Sequence, residues 1–175
     1  MWSSEAAPAT RRTALVAAGL ALAACTLRPL LHATNDQGVR SELEAISITG
    51  LDDRLGQLVR NALLDELNPT GAPVPSRYIL DVELQRSAQA LGIQLDNVIT
   101  RFNLTLTASF QLLDSKSGEL LYQSQVQRIA SYNVSLQPYA TLAAEVDAER
   151  RIAREVGDNI TTLLAVHFAQ QATPT

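Results

Sequence analysis

The sequence has few of the residues that build disulfides, metal sites and basic surfaces. It contains one cysteine, Cys25, one lysine, Lys116, and two histidines, His32 and His167. A lone cysteine cannot form an intramolecular disulfide, and two distant histidines do not have the spacing of a metal site. The formal net charge of −4 argues against binding to nucleic acid, which requires a basic face. We expect no metal, no cofactor and no nucleic-acid partner.

The sequence also lacks an apolar run long enough to span a membrane. The run from Ala14 to Leu22 has about nine residues, against the roughly 20 that a spanning helix needs. It follows Arg11-Arg12 and ends in small residues, which is the layout of a secretory signal. Leu22-Ala23-Ala24-Cys25 resembles the bacterial lipobox, in which the cysteine is acylated and becomes the new N-terminus. Residues 1–24 are therefore predicted to be a lipoprotein signal peptide.

Acylation of Cys25 would hold the protein on a membrane, because two or more acyl chains make membrane binding durable. Thr26 follows the cysteine where an aspartate would favour retention at the inner membrane, so we expect an outer-membrane lipoprotein. Arg11-Arg12 also resembles a twin-arginine signal, and the choice between this route and the general secretory route stays open. The alternative for Cys25 is a buried free thiol in an ordinary N-terminal helix.

The mature chain is long enough for one domain. Removing residues 1–24 from the 175-residue chain leaves 151, and the loss of Glu5, Arg11 and Arg12 leaves 17 acidic against 12 basic residues, a net charge of −5. The turn-forming residues of the segment after Cys25 predict a lipidated N-terminus and linker over 25–43. We expect a single α+β domain over 44–170 and a disordered tail over 171–175.

Alternating and helical patterns predict the order β-α-β-β-β-α. Strands are expected at 44–50, 77–86 and 101–113 and from Leu120 onward, with a bulge near Ser131, and amphipathic helices at 52–68 and 141–170. Two such helices on one face of a four-stranded sheet make a two-layer sandwich. The apolar side chains expected to face each other across its core are Phe102, Leu104, Leu106 and Phe110 from the sheet and Leu58, Val156, Ile160 and Leu163 from the helices.

The other face of the sheet is predicted to be polar but mostly uncharged. Its residues are Asn103, Thr105, Thr107, Ser109 and Gln111 on one strand and Gln123, Gln125 and Gln127 on the next. A face of amides and hydroxyls suits contact with another protein or a sugar-rich ligand. A merely neutral, solvated face is the alternative, and the pattern does not decide between them.

No arrangement of residues indicates an enzyme. Asp52-Asp53 and Asp65-Glu66 are carboxylates at helix positions where they cap and solubilise, and the serines lack a partnering histidine or a Gly-x-Ser-x-Gly elbow. Gly157 lies inside the last helix at a cost of about 1 kcal/mol relative to alanine, and close packing on a strand is one explanation.

Several segments together resemble the lipopolysaccharide-assembly lipoproteins of the LptE family, in the form found in alphaproteobacteria. They are residues 22–30, 78–81, 99–104, 114–120, 131–133 and 141–150. The resemblance implies a non-catalytic outer-membrane lipoprotein, anchored on the periplasmic side, that forms a complex with the LptD β-barrel. It also implies help in assembling that barrel and binding of lipopolysaccharide on its way to the cell surface. The alternative is a periplasmic lipoprotein auxiliary to a lipid-transport ABC system.

Three cations are candidate contacts for the phosphates of lipopolysaccharide. Lys116 lies at a predicted turn tip, Arg101 begins the strand before it, and Arg86 ends the preceding strand. Arginine can bind a phosphate with two hydrogen bonds, and lysine meets it as a point charge. Because the mature chain is acidic, the sequence predicts that a local group of cations binds this ligand.

Overall fold

The chain forms a four-stranded mixed sheet covered by helices. The computed structural model describes residues 36–93 and 99–172. The elements in chain order are helix α1 (Asp36–Glu44), strand β1 (Ile46–Thr49), helix α2 (Arg54–Leu67), strands β2 (Tyr78–Ile93), β3 (Ile99–Asp114) and β4 (Leu120–Asn133), and helix α3 (Pro138–Gln171). The predicted α+β sandwich is confirmed, with α1 as an additional helix.

The strands lie in the sheet in chain order, β1-β2-β3-β4. β1 runs parallel to β2, with Ile46 opposite Tyr78, while β2, β3 and β4 are antiparallel neighbours. β1 has only four residues and pairs with the first part of β2. Among the described residues, β2 is consequently an edge strand beyond Asp81, and β4 is an edge strand along its whole length.

The core lies between the sheet and the two long helices. Leu104, Leu106 and Phe110 of β3 are buried, as are Val156 and Ile160 of α3, so the alternating pattern assigned the apolar face of the sheet correctly. Leu58 and Leu163 are half-buried and pack against the edge of this core, and Phe102 stacks on Tyr132 with ring centroids 5.7 Å apart.

Helix α2 begins where its capping residue predicts. The side chain of Asp53 accepts a hydrogen bond of 2.7 Å from the backbone N–H of Gly56, which satisfies one of the free donors of the first turn. Val59 and Leu63 of this helix are fully buried. Gly157 of α3 packs against α2 and not against a strand, so that part of the prediction was wrong.

Helix α1 lies in the segment that the sequence predicted as linker. Asn35, Asp36 and Gly38 are typical turn residues, but Val39 and Leu43 are four positions apart and so lie on one face of a helix. Both pack against the domain core, and this burial outweighs the poor helix propensity of the glycine. The boundary predicted between residues 43 and 44 itself stays a prediction.

Strand β2 extends beyond its predicted end at residue 86, and the bulge lies elsewhere than predicted. The 14 residues of α2 span about 21 Å, whereas the 16 residues of β2 span about 53 Å, so α2 cannot cover the full strand. Residues 85–91 in its second half are exposed, so this part of the strand needs no large apolar side chains. The register shift lies at Leu112/Leu113, where β4 has an extra residue, and Ser131 pairs regularly with Asn103.

Candidate functional site

The outward face of the sheet carries rows of amide and hydroxyl side chains, and we call it the amide face. It consists of the outward residues of β2, β3 and β4 from Asp81, Gln111 and Gln123 to Gln89, Asn103 and Ser131. Hydrogen bonds join neighbouring strands on it, from Ser131 to Asn103 at 2.6 Å, Gln127 to Thr107 at 3.3 Å and Gln125 to Ser109 at 3.4 Å. The predicted polar, mostly uncharged face is therefore formed.

A shallow open depression of about 410 Å³ lies on the amide face. Side chains of all three antiparallel strands line it, namely Asp81, Glu83, Ser109, Gln111, Gln123 and Gln125. Asp81 accepts a hydrogen bond from the Thr49 hydroxyl at 3.2 Å, and Glu83 is exposed. The depression thus combines two carboxylates with amides and a hydroxyl, and repels rather than attracts a phosphate.

The turn between β3 and β4 presents Lys116 to solvent. The Asp114 carboxylate accepts hydrogen bonds from the backbone N–H groups of Lys116 at 2.9 Å and Ser117 at 2.8 Å. The bond from Ser117, followed by that from Lys116, lowers the pKa of Asp114 below its usual value. These hydrogen bonds stabilise the turn from which Lys116 projects.

Arg101 lies at the opposite end of the same strand. It pairs with Leu91 of β2 and Asn133 of β4, and it is exposed. The 13 positions from Arg101 to Asp114 correspond to about 43 Å of strand. Lys116 and Arg101 are thus at opposite ends of the sheet, and the structure does not bring them together.

Arg86 occupies a third position, on the helix-covered side of the sheet. It pairs with Leu106 in the register and forms ion pairs with Glu145 at 2.7 Å and Glu149 at 3.4 Å, both on α3. Its guanidinium is therefore already engaged by two carboxylates. The three predicted cations do not form one local group, because strand register separates them.

Glu149 is the charged residue that the sequence analysis missed. It is 5% exposed and interacts with Arg54 of α2 as well as with Arg86 of β2. This ion-pair network joins both long helices to the sheet. The sequence did contain a signal, since Glu149 is four residues before Ala153 and three before Ile152, on the buried side of α3.

Large apolar side chains are exposed where α3 begins. Leu136 is 97% exposed, Tyr139 88% and Leu142 57%. Monomeric soluble proteins rarely group such residues without a partner. This end of the domain is a second candidate contact surface, beside the amide face.

Cys25 and His32 lie outside the residues that the structure describes. Within the described ranges, no group of three or more histidine, cysteine, aspartate or glutamate side chains could hold a metal ion. No helix in those ranges is long and apolar enough to cross a membrane.

The comparison with protein families decides which family the chain represents. A family model described as "LptE: Lipopolysaccharide-assembly" matches residues 42–164. The chain belongs to the LptE family. This is a non-catalytic family, in agreement with the expectation that the protein is not an enzyme.

The chain is also similar to individual proteins of known structure or sequence. A candidate lipoprotein from Caulobacter crescentus is 33% identical, with a TM-score of 0.66, and the match covers 79% of this chain and 99% of that one. Rare lipoprotein B from Shewanella oneidensis has the same fold, with a TM-score of 0.56 at 14% identity over 73% of this chain and 97% of its own. An uncharacterised protein of Rickettsia prowazekii is 24% identical over 74% of this chain and 81% of its own length.

Proposed function

We propose that this LptE-family protein is an outer-membrane lipoprotein that acts with an LptD-type β-barrel in lipopolysaccharide transport. It forms a complex with the barrel, assists its assembly, and binds lipopolysaccharide on its way to the cell surface. The family match over residues 42–164 is the observation that carries this proposal. The similarity to proteins described as lipoproteins supports the lipid anchor at Cys25. The anchored domain is proposed to lie on the periplasmic side of the membrane.

The amide face suits the interior of a large barrel. The lumen of a transmembrane β-barrel is polar, because lipid-facing and lumen-facing residues alternate along its strands. Amides and hydroxyls both donate and accept hydrogen bonds, so most of this face can pair with such a wall, and its only charged residues, Asp81 and Glu83, lie together at one end. The exposed Leu136, Tyr139 and Leu142 support a further contact with the partner.

The proposed contacts for lipopolysaccharide are still Lys116, Arg101 and Arg86. Each would contact a different part of the ligand. Lys116 and Arg101 are exposed and lie about 43 Å apart along the strand, so one phosphate cannot meet both. Arg86 must share its guanidinium with Glu145 and Glu149. We expect Lys116 to contribute most, since hydrogen bonds stabilise its turn and it has no ion pair among the described residues.

A pull-down in mild detergent tests the proposed partner. The tagged full-length protein, expressed in its own cells, should co-purify with a large β-barrel identified by mass spectrometry. Co-purification with inner-membrane transport components instead would favour the auxiliary lipoprotein of an ABC system. Recovery of neither class of partner would contradict the proposal.

The ligand contacts are tested separately by binding of purified lipopolysaccharide. Lys116→Ser and Arg101→Ser should each weaken binding and leave barrel co-purification unchanged, while Arg154→Ser, an exposed arginine of α3, serves as the matched control. Unchanged binding in both folded variants would remove these residues from the site.

A further inference from the structure

Strand β4 forms an edge of the sheet, and half of that edge is uncovered. It pairs with β3 on one side, and no strand of residues 36–93 or 99–172 pairs with its other side. Proteins usually protect such an edge with proline, lysine or inward-pointing charges. β4 has no proline, lysine or carboxylate in its 14 residues, and Arg128 is its only charged residue.

Two arginines show which backbone groups point away from the sheet. Arg128 donates a hydrogen bond of 3.0 Å to the carbonyl of Gln127, and Arg151 of α3 donates one of 3.3 Å to the carbonyl of Ser131. Neither carbonyl can point toward β3 while it accepts these bonds at the edge. The half of β4 nearest Asn133 is therefore partly covered by guanidinium groups.

The other half of β4 is uncovered. Backbone groups of successive residues in an antiparallel strand point to opposite sides, so Gln123 and Gln125 share the outward direction of Gln127. Within the described part of the chain, the outward N–H and C=O groups of Gln123 and Gln125 have no backbone partner beyond the sheet. Two N–H donors and two C=O acceptors are thus available along the edge where a further strand would pair.

The position of α3 determines what can pair there. This helix lies along β4, since His167 stacks on Tyr122 with ring centroids 4.7 Å apart and Asn159 accepts a hydrogen bond from Arg128. In an antiparallel edge-to-edge pair of two copies, both α3 helices would lie on the same face of the joined sheet, where one strand spacing adds only about 5 Å of separation against the roughly 8–10 Å that packed helices need. A strand without an overlying helix meets no such obstacle.

We propose that the β4 edge at Gln123 and Gln125 binds an extended segment of another protein by strand addition. The segment would alternate polar residues, which extend the amide face, with apolar residues on the side of Tyr122 and Val126. This inference goes beyond the proposed function, because it depends on neither the lipid anchor nor lipopolysaccharide.

A peptide with the sequence of residues 101–113 is a suitable probe, since this alternating segment pairs with β4 from the other side. Binding of the labelled peptide to the full-length protein in mild detergent is measured by fluorescence anisotropy. Hydrogen exchange measured by NMR should show new protection of the Gln123 and Gln125 amides, which exchange freely without the peptide. A peptide of the same composition with its alternation scrambled is the control.

Two substitutions at one position separate backbone pairing from side-chain contact. Gln125→Pro removes an outward N–H and leaves the pairing with β3 intact. It should weaken binding about tenfold, because one hydrogen bond is lost and the proline ring crowds the peptide strand. Gln125→Ala keeps the N–H and should bind as the parent does. Arg151→Ala should tighten binding, because it frees the Ser131 carbonyl.

Three results would overturn the proposal, provided circular dichroism shows that the variants fold. One is equal binding by Gln125→Pro and Gln125→Ala, which would place the peptide on side chains. Another is the absence of amide protection at saturating peptide. The third is a concentration-dependent dimer without peptide that Gln125→Pro dissociates, which would make a second copy the occupant.

Discussion

Replacing Gly157 by alanine tests how closely α2 and α3 pack. A Cβ atom on residue 157 would lie 3.0 Å from Ala62 Cβ, 3.3 Å from Ala62 C and 3.4 Å from Leu63 N. All three atoms are rigid parts of α2 and cannot rotate away. The two helices would therefore have to separate by a few tenths of an ångström.

Two opposing contributions determine the change in stability. Alanine favours the helix by about 1 kcal/mol relative to glycine. Overpacking a filled interior costs about 1–3 kcal/mol, and α2 is held in place by the fully buried Val59 and Leu63 and by the Arg54–Glu149 ion pair. We expect Gly157→Ala to lower the free energy of unfolding by about 1 kcal/mol, although the same change usually stabilises a helix.

Denaturant unfolding followed by circular dichroism measures this change. Gly38→Ala in α1 is the matched control, because a Cβ there meets nothing within 4 Å and should not destabilise. Ala62→Gly should cost less in the Gly157→Ala background than in the parent protein, because in that background it also removes the contacting methyl group. A gain of about 1 kcal/mol from Gly157→Ala alone would refute the reasoning, since it would show that the helices separate freely.

Further predictions concern the core, the buried ion pairs, acid stability and processing. Leu106→Ala should lower the free energy of unfolding by about 2–5 kcal/mol, and a loss below about 0.5 kcal/mol would contradict its place in the core. Glu149→Gln should cost about 1–2 kcal/mol by breaking its pair with Arg54, whereas the exposed Glu155→Gln should cost little. Burial lowers the pKa of His167 from 6.5, so the unfolded chain binds the proton more readily, and stability should fall as pH drops through about 6.5; His167→Gln should flatten this dependence. Mass spectrometry of the mature protein should find a diacylglyceryl-modified Cys25 at the N-terminus, and an intact peptide across Ala24-Cys25 as the major form would contradict lipidation.

The fold was predicted well where one element contains its own pattern. The alternation in β3 predicted the strand and its buried face, because successive side chains on a strand always point to opposite faces. The helical spacing of apolar residues in α2 and α3 likewise predicted these two helices and their buried faces. Prediction failed for α1, where turn-forming residues are overruled by the burial of Val39 and Leu43 against residues distant in sequence.

The candidate site was predicted only in part, for the same reason. The residues of the amide face could be read from the alternation, but the separation of Lys116 from Arg101 depends on the length and register of β3. The burial of Glu149 depends on Arg54 and Arg86, which come from two other elements. No local sequence pattern predicts contacts between residues of three different elements.

The sequence by itself determined the order of the four strands and the two long helices, the two faces of the sheet, the candidate lipidation site and the resemblance to the LptE family. These properties depend on covalent geometry and on short segments, so they are present before any tertiary contact forms. The tertiary structure decided that the cations lie apart, that Gly157 meets Ala62, and that the β4 edge is open at Gln123 and Gln125. Each of these depends on how segments far apart in the chain pair or pack, and that is set by the competition among all such pairings in the folded protein.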